Sequence, residues 1–506
     1  MTMLDASTNS LPDWLRRRAF SNPDRLAIIC SDTQRTFSEL DVDVDRAARW
    51  LASHEVVTGS RVAVHLPNSI AFVQLVHAIS RLGAMLIPIN LRLTGDEIGW
   101  QLGDVRADLL ITGDLTAQLS AARDRLAPDT RAVVIDPHSP NFIGGASASP
   151  VFVESHATDE VHSIVYTSGT TGRPKGALLT YGNHWWSAIG SGLNLGTHVD
   201  DRWMAVLPLF HVGGLSILQR SVIYGITAVV HESFDPGRVN QSIDEDRVTI
   251  ISVVSTMLRR MLAERGDAPY PEWLRCVLLG GGPAPEPLLR ACESRDIPVT
   301  QTYGLTETAS QLATLPPDEA LLKLGSAGKP LYPNELEIEV DGQLAVRGLP
   351  GEIIVKGPIV TAGYFERPEE TARAFEGGWF HTGDAGYLDD AGYLYVLDRR
   401  DDLIVSGGEN VYPAEVEAVL MSHDDVTEAG VIGIPDEEWG QRVVAIITPR
   451  DDCSPDIAQL SEWCRRHIAA YKIPVDFAVQ QNPLPRNAGG KLLRRELRRT
   501  WAPYPR

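Results

Sequence analysis

The first four hundred residues alternate short apolar runs with longer amphipathic segments, and this pattern limits the chain to few architectures. The apolar run 61–66 precedes the amphipathic segment 69–82, and the run 248–254 precedes 257–264 in the same way. Strands that alternate with helices are typical of α/β folds with largely parallel sheets. The alternation therefore predicts an α/β fold. Because 506 residues are too many for one hydrophobic core, we expect at least two domains.

The charge and cysteine content exclude several classes of protein. The formal net charge is −20, and an acidic surface repels nucleic acid phosphates and anionic lipid, so we expect neither as a partner. The five cysteines include no C-x-x-C pair, which argues against a disulfide framework or a structural zinc site. The first twenty residues lack the apolar segment of a secretory signal. A cytoplasmic protein is the expectation, and self-association is left open.

A loop rich in serine, threonine and glycine follows a strand-like apolar run. Glycine lets the backbone approach an anion, hydroxyl and N–H groups donate to phosphate oxygens, and lysine adds positive charge. The composition predicts a triphosphate-binding loop, and the alternative is a flexible surface loop. The candidate ATP-binding residues of this loop are Thr167, Ser168, Gly169, Thr170, Thr171, Gly172 and Lys175.

Further short motifs follow this loop in an order typical of one enzyme superfamily. The segments are 302–307 (TYGLTE), 382–384 (TGD), 398–402 (DRRDD), 406–410 (SGGEN) and 485–491 (PRNAGGK). Together with the loop they resemble the adenylate-forming superfamily, which contains acyl-CoA synthetases, luciferases and the adenylation domains of peptide synthetases. The resemblance spans nearly the whole chain. Several motifs in the family's order identify the superfamily more specifically than any single motif would.

The resemblance implies that the chain joins a carboxylic acid to AMP, releases pyrophosphate, and then transfers the acyl group to a thiol. The first step joins two anions, so it requires cations and oriented donors around the phosphates. By the family's pattern Glu307 binds Mg²⁺, Thr306 donates to the α-phosphate and Tyr303 offers a flat face to adenine. A helix-capping turn is the alternative for Thr306 and Glu307.

Other positions match further contacts of ATP in the family. Asp384 and Arg399 match the ligands of the ribose hydroxyls, and the alternatives are a turn residue and one member of a solvated charge run. The remaining matches to ATP contacts are Gly282, Pro283 and Gly304.

The resemblance also implies a division of the chain and a movement. We expect a large N-terminal domain over 1–398, built of α/β subdomains with a small β-barrel-like part, and a small mobile α+β domain over 402–506. The hinge is expected at 399–401, with Asp401 at the family's hinge position. Rotation would present the catalytic Lys491 for adenylation, or withdraw it and bring Ser406, Gly407 and Gly408 to the thiol tunnel. The segment 492–499 after Lys491 predicts an amphipathic helix with a solvated basic face.

Some candidate residues have an equally ordinary structural interpretation. His211 matches an aromatic position beside the acyl pocket, although a lone histidine in an apolar run is normally a core residue. Arg92, Trp439 and Tyr471 match contacts of the CoA nucleotide, although Trp and Tyr at a domain surface are as often packing residues. Candidate donors to a second carboxylate of the acid are His211, Gln219, Arg220 and Thr256.

Longer stretches narrow the substrate. The segments 207–215, 278–285, 323–331 and 406–417 resemble the 2-succinylbenzoate–CoA ligases of menaquinone biosynthesis. The implied substrates are this acid, ATP and CoA, with Mg²⁺. Alternatives are a ligase for another aryl or fatty acid, a stand-alone domain that loads a carrier protein, and a non-catalytic nucleotide-binding relative.

Overall fold

The computed structural model describes residues 9–501, with gaps at 115–129, 142–147, 168–173, 283, 400, 401, 403, 407, 408, 412, 437, 438, 451, 452, 454, 469 and 487–491. At positions 96, 398, 399, 405, 409, 410 and 440 only the backbone is described.

The first sheet is parallel except at one edge, where a single strand pairs antiparallel. Its strands are fully or largely buried near the centre, and the four residues Leu109–Thr112 are all buried, as expected when helices cover both faces. In spatial order its strands are Lys175–Thr180, Val161–Thr167, Met85–Pro88, Arg61–His65, Leu109–Thr112 and Arg131–Val134.

A second parallel sheet lies beside the first, and one antiparallel strand, Thr33–Thr36, closes its edge. Its parallel strands, in spatial order, are Val299–Tyr303, Cys276–Gly280, Ile250–Val254, Arg202–Ala205, Thr227–Val230 and Leu26–Cys30. A short ribbon joins Ser10–Pro12 to Ser155–Ala157.

The second sheet continues through Ala313–Leu315 into a purely antiparallel part. The residues 389–392 form a hairpin turn, and the strands on its two sides pair antiparallel. The antiparallel strands are Ser326–Pro330, Leu394–Arg399, Trp379–Leu388, Gly351–Lys356, Glu335–Val340 and Gln343–Leu344, with Phe375–Glu376 at the side.

Several helices begin at residues whose side chains cap them. Ser69 accepts a hydrogen bond from the backbone N–H of Phe72, so the helix predicted over 69–82 forms as Ile70–Arg81. Thr36 and Glu39 form a reciprocal capping box at the start of Phe37–Ser53. The other helices of this region are Trp14–Ser21, Gly95–Asp104, Tyr181–Leu195, Val212–Tyr224, Pro236–Glu245, Ser255–Arg265, Glu286–Glu293 and Pro368–Ala374, with 3₁₀ turns at Thr306–Thr308 and Pro317–Glu319.

The C-terminal hundred residues form a separate sheet with its own core. Val416 and Leu420 of the helix Pro413–Met421 are fully buried there, as the periodic apolar pattern predicts. The strands are Glu409–Val411, Ile404–Ser406, Gly440–Pro449, Val426–Asp436 and Asp476–Val479. The remaining helices are Ile457–His467, Arg494–Thr500 and the 3₁₀ turn Ala470–Lys472.

The last helix corrects one expectation. Its basic face is not wholly solvated, because Arg494 is 6% exposed and its Nη2 lies 2.7 Å from Glu417 Oε2. Arg494 and Arg498 also contact Asp402. Ion pairs with Asp402 and with Glu417 of the helix Pro413–Met421 therefore hold the last helix, and the contact with Glu417 spans 77 residues of sequence.

Candidate active site

A cavity of about 570 Å³ lies where the carboxyl ends of strands from both parallel sheets converge. Ligands of open α/β sheets bind at this edge, because the loops that follow the strands meet there. Of the sequence-predicted residues the structure describes, those that line it are Thr167, His211, Gly282, Tyr303, Gly304, Thr306, Glu307 and Asp384, joined by Arg220 and Thr256 from the candidate carboxylate donors.

The turn Thr306–Thr308 carries the residues predicted to bind Mg²⁺ and the α-phosphate. Glu307 Oε1 accepts a hydrogen bond of 3.0 Å from the hydroxyl of Tyr364. The backbone oxygen of Glu307 accepts one of 2.7 Å from the N–H of Thr361. The capping-turn interpretation and the functional one are therefore compatible, since the turn exists and faces the cavity.

The backbone around this turn is crowded and strained. A Cβ on Gly304 would lie 1.6 Å from the carbonyl oxygen of Ser310, so only glycine fits there. Ala309 and Ser310 have φ angles of 48° and 99°, which side chains rarely allow. Each such residue costs of order 1–3 kcal/mol and persists only where its surroundings impose it.

The predicted adenosine face of the cavity is assembled across three strands. The Tyr303 hydroxyl donates a hydrogen bond of 2.8 Å to Oδ2 of Asp384, which is 6% exposed. Thr382 orients the loop, because its hydroxyl accepts from the backbone N–H of Asp384 at 3.1 Å. The backbone of Arg399 pairs opposite Asp384 in the neighbouring strand. The Arg399 side chain lies outside the described residues.

The predicted phosphate loop is described only at its two ends. Thr167 ends its strand at the cavity, and Lys175 begins the antiparallel partner strand with which Thr167 pairs. The Nζ of Lys175 lies 5.1 Å from the centre of the Tyr364 ring. The residues Ser168, Gly169, Thr170, Thr171 and Gly172 lie outside the described residues, as does Pro283.

His211 is a pocket residue and not a satisfied core histidine. It immediately precedes the helix Val212–Tyr224, and its Nε2 has no hydrogen-bond partner among the described residues. Burial lowers the pKa of His211 to about 4, with a further contribution from the positive charge of Arg92. The imidazole is therefore neutral near pH 7 and presents an uncharged, weakly polar surface to the cavity.

Arg220 forms a buried cationic wall of the same cavity. It is 1% exposed, and its guanidinium carbon lies 5.5 Å from the centre of the Trp203 ring. Burial lowers the pKa of Arg220 below its usual value, and no carboxylate of the described residues forms an ion pair with it. Its Nε also has no hydrogen-bond partner among those residues. A buried cation without a counter-charge is costly unless a ligand supplies one.

Two other expectations about the acid pocket resolve differently. Thr256 lines the cavity, whereas Gln219 does not, because its Nε2 turns away to the Nε2 of His162, 3.3 Å distant. Sequence reasoning missed Tyr364, Gln301 and Gln311. The amides of both glutamines carry buried atoms without hydrogen-bond partners among the described residues, and both line the cavity. Their one sequence signal is their position after or within the strand end at Val299–Tyr303.

The C-terminal region contributes to the cavity beside the predicted catalytic loop. Arg486 and Leu492, on either side of 487–491, both line it. Glu428 holds the base of this loop by accepting from the N–H of Leu484 at 2.9 Å and from Arg486 at 3.3 Å. Across the cleft, Nη1 of Arg259 donates to the backbone oxygen of Thr427 at 3.0 Å. Lys491, Asp401, Gly407 and Gly408 lie outside the described residues.

The residues predicted to contact CoA are not brought to the cavity. Trp439 and Tyr471 are 53% and 43% exposed, and Arg92 is also exposed. Ser406 is half-buried at the end of its strand. None of these four belongs to the described lining of the cavity.

Comparisons with known proteins agree with this geometry. The family model described as AMP-binding enzyme matches residues 15–365, and the model of the AMP-binding enzyme C-terminal domain matches 415–491. A 2-succinylbenzoate–CoA ligase from Geobacillus kaustophilus is 52% identical over 494 residues, 97% of this chain and 98% of that protein.

Solved structures match over nearly the same length. The o-succinylbenzoate CoA synthetase of Bacillus subtilis in complex with its acyl-adenylate intermediate has a TM-score of 0.89 at 44% identity, covering 96% of this chain and 98% of that one. The same enzyme in complex with ATP and magnesium has a TM-score of 0.88 at 45% identity, covering 96% and 99%. The chain therefore belongs to the AMP-binding enzyme family.

Proposed function

We propose that the chain is an ATP-dependent ligase that converts 2-succinylbenzoate to 2-succinylbenzoyl-CoA. A carboxylate oxygen of the acid attacks the α-phosphorus of ATP, and the bond to the β-phosphate breaks to release pyrophosphate. The sulfur of CoA then attacks the acyl carbon, AMP leaves with the bonding electrons, and the thiol proton passes to solvent. The observation that carries the proposal is Arg220, a buried guanidinium that faces the cavity without a carboxylate partner.

The substrate supplies what Arg220 lacks. 2-Succinylbenzoate has two carboxylates, and only one of them can react with the α-phosphate. Arg220 binds the ring carboxylate, and the succinyl carboxylate points toward Thr306. A buried charge-assisted pair of this kind recognises the dianionic acid and leaves the guanidinium uncompensated when the ring carboxylate is missing. Neutral His211 packs beside the acid without adding charge.

The opposite face holds ATP. Asp384 accepts the ribose hydroxyls with Arg399, and its hydrogen bond from Tyr303 fixes the carboxylate beside the adenine-stacking ring. Gly304 and Gly282 let the backbone approach the nucleotide, and Pro283 follows at the same strand end. Thr306 donates to the α-phosphate, while Lys175 and the loop Thr167–Gly172 surround the outer phosphates.

The residues around Glu307 suit Mg²⁺. This ion is usually held by one or two carboxylates together with substrate phosphates, and Glu307 is a carboxylate at the cavity whose orientation is set by Tyr364. Bound Mg²⁺ neutralises phosphate charge as it develops. Glu307 would hold the ion beside the α-phosphate that Thr306 orients.

The C-terminal region supplies the remaining catalytic group. Lys491 bridges the reacting carboxylate and the α-phosphate during adenylation, and the position of its neighbours Arg486 and Leu492 at the cavity supports this role. The domain 402–506 rotates on the hinge 399–401, with Asp401 as its pivot. Ser406, Gly407 and Gly408 then line the thiol tunnel, and Arg92, Trp439 and Tyr471 bind the CoA nucleotide. This rotation explains why those CoA residues do not line the cavity in the present arrangement.

None of the helices that the structure describes is long and apolar enough to cross a bilayer. The cytoplasmic location stays a prediction, and so does any self-association.

Acid-dependent pyrophosphate release tests the function. We expect release with ATP, Mg²⁺ and 2-succinylbenzoate, and a thioester product once CoA is added. Preference for another aryl or fatty acid would keep the chemistry and contradict the substrate. If none of the tested aryl and fatty acids causes pyrophosphate release, the enzyme function is contradicted and a nucleotide-binding relative is favoured.

The half-reactions separate the role of Lys491. Lys491→Ala should lose adenylation by several orders of magnitude and keep thiolation of preformed acyl-adenylate. Lys356→Ala, an exposed lysine of the antiparallel part, is the matched control and should keep both. Equal loss of both half-reactions in Lys491→Ala would contradict the assignment.

A further inference from the structure

The buried hydroxyl of one serine lies between Arg220, the proposed binding residue of the acid, and the turn that carries Glu307. Ser187, in the helix Tyr181–Leu195, is 3% exposed. Its Oγ accepts a hydrogen bond of 3.0 Å from Nη2 of Arg220 and donates one of 2.7 Å to the carbonyl oxygen of Ala309. One serine thus touches the predicted anchor of the acid and the residue that follows the turn Thr306–Thr308.

Ser187 thus forms a hydrogen-bonded bridge between Arg220 and Ala309. At the Arg220 end of this bridge, the guanidinium has few other polar contacts. The bond from Nη2 to Ser187 Oγ is the one hydrogen bond that this guanidinium donates to the described residues. Its other polar contact is with the face of Trp203, whose indole N–H is already donated to Ser252 at 2.9 Å. A guanidinium held at one nitrogen keeps its remaining donors available in a fixed plane, which suits bidentate recognition of a carboxylate.

The Ala309 end stabilises a strained backbone. Ala309 is fully buried and left-handed, so its carbonyl oxygen needs a donor from outside the turn. Bonds inside the turn fix its other groups: the N–H of Ala309 reaches the oxygen of Thr306 at 3.0 Å, and the N–H of Ser310 reaches that of Leu305 at 3.3 Å. Ser187 supplies the missing external donor.

We propose that Ser187 is a positioning residue that holds the acid anchor Arg220 and the Thr306–Thr308 turn in one fixed relation. The inference rests on the proposed function, because it assigns the ring carboxylate to Arg220 and the α-phosphate to Thr306. Removing the hydroxyl leaves Arg220 free to tilt and leaves the Ala309 carbonyl without its donor. Recognition of the acid and of ATP should then weaken together, although Ser187 touches neither.

Two acids and four variants test this bridge. 4-Oxo-4-phenylbutanoate keeps the succinyl chain and lacks the ring carboxylate. In Ser187→Ala we expect the ratio of kcat/KM for 2-succinylbenzoate to kcat/KM for this acid to fall roughly tenfold, the effect of one bond to a charged group. The ATP concentration that half-saturates the enzyme with 4-oxo-4-phenylbutanoate should rise severalfold, since the turn moves whichever acid is bound.

Matched variants separate the hydroxyl from packing. Ser187→Thr and Ser187→Val add the same methyl group, and only the first keeps the hydroxyl, so Ser187→Thr should behave like the parent and Ser187→Val like Ser187→Ala. Ser191→Ala changes an equally buried serine one helical turn away and should leave both quantities unchanged. Thermal unfolding confirms that each variant is folded.

The outcomes are distinct. An unchanged acid ratio in Ser187→Val, or an unchanged half-saturating ATP concentration, overturns the bridge. Equal behaviour of Ser187→Thr and Ser187→Val also overturns it, because packing would then explain the loss. If the parent protein releases no pyrophosphate with 2-succinylbenzoate, the proposed function fails instead.

Discussion

Arg81 and Arg220 are the two fully buried arginines of the described residues, and their surroundings differ in one respect. Arg81 is 0% exposed and contacts Asp13, Asp41 and Asp45 from the helices around it. Burial opposes its charge, yet the three aspartates outweigh burial and raise the pKa of Arg81 above its usual value. Arg220 is 1% exposed, has no such partner among the described residues, and has a lowered pKa.

The difference separates a cation with its own carboxylates from one that we propose to bind a ligand. The free-energy cost of burying the charge of Arg81 is offset within the folded chain by the three aspartates that contact it. The described residues supply no such carboxylate to Arg220. Arg220 lies at the cavity wall, where the dianionic acid of our proposal would supply one. Burial alone therefore does not single out Arg220, and our proposal rests on its burial without a counter-charge among the described residues.

Removing Arg81 should have the largest effect on stability. Arg81→Met leaves Asp13 buried without its cation, which should lower the free energy of unfolding by about 3–5 kcal/mol. Urea unfolding of the purified protein measures the change. Arg131→Met is the control, because its pair with Glu55 is exposed at both ends and should contribute no more than about 1 kcal/mol. A loss of under 1 kcal/mol in Arg81→Met would remove the contrast between the two arginines.

Acid should destabilise the protein through a histidine near each arginine. Burial, opposed by the charge of Asp13 and assisted by that of Arg81, lowers the pKa of His77 to about 4, and burial together with the charge of Arg220 lowers that of His184 to about 3. Between about pH 6.5 and these values the unfolded chain binds more protons than the folded chain, so stability is full above pH 6.5 and falls as the pH falls.

The expected slope approaches about 1.4 kcal/mol per pH unit for each histidine. Urea unfolding at pH 7.5, 6.5, 5.5 and 5.0 gives the curve, and His184→Gln should reduce its slope. A flat curve from pH 6.5 to pH 5.0 would show that these histidines are not buried in neutral form.

Glu307 extends the contrast to a carboxylate that is predicted to bind a cation. Tyr364→Phe removes the hydroxyl that orients Glu307 and keeps the ring beneath Lys175. We expect the Mg²⁺ concentration for half-maximal pyrophosphate release to rise roughly tenfold, as is usual when a partner of a metal ligand is removed. Tyr332→Phe, on an exposed tyrosine, should leave it unchanged. An unaltered Mg²⁺ requirement in Tyr364→Phe would contradict a role of Tyr364 in Mg²⁺ binding.

The smallest expected change is in the stability of an Arg220 variant. Arg220→Met removes a buried charge that has no carboxylate partner among the described residues, so the free energy of unfolding should stay within about 1 kcal/mol of the parent or rise. The same urea titration as for Arg81→Met makes the comparison direct. A loss of more than about 2 kcal/mol would place Arg220 with Arg81 as a structural cation.

Local sequence was sufficient for much of the fold, and the family resemblance was sufficient to predict which residues meet at one end of the cavity. The apolar periodicity predicts the helix at Ile70–Arg81, and Ser69 supplies its cap. The ordered motifs bring Tyr303, Glu307 and Asp384 to one cavity: Tyr303 ends the strand Val299–Tyr303, Glu307 lies in the turn that follows, and Asp384 lies within the strand Trp379–Leu388. These features depend on neighbouring residues, which a single sequence displays.

The acid face depends on contacts that a single sequence does not display. Ser187 meets Arg220 across 33 residues and Ala309 across 122. That Arg220 lacks a carboxylate follows only from what all its spatial neighbours are. In the basic C-terminal helix, Arg495, Arg498 and Arg499 are exposed as expected, whereas Arg494 is buried against Glu417, a carboxylate 77 residues away in sequence.

Acid discrimination in an Arg220 variant tests the central claim most directly. The measurement compares kcat/KM for 2-succinylbenzoate and for 4-oxo-4-phenylbutanoate in the parent protein and in Arg220→Met. We predict that the parent prefers the dianionic acid and that Arg220→Met loses at least roughly thirtyfold in kcat/KM for 2-succinylbenzoate, while the other acid changes by less than about threefold. Equal losses for the two acids, or no loss for 2-succinylbenzoate, would contradict the assignment of the ring carboxylate to Arg220.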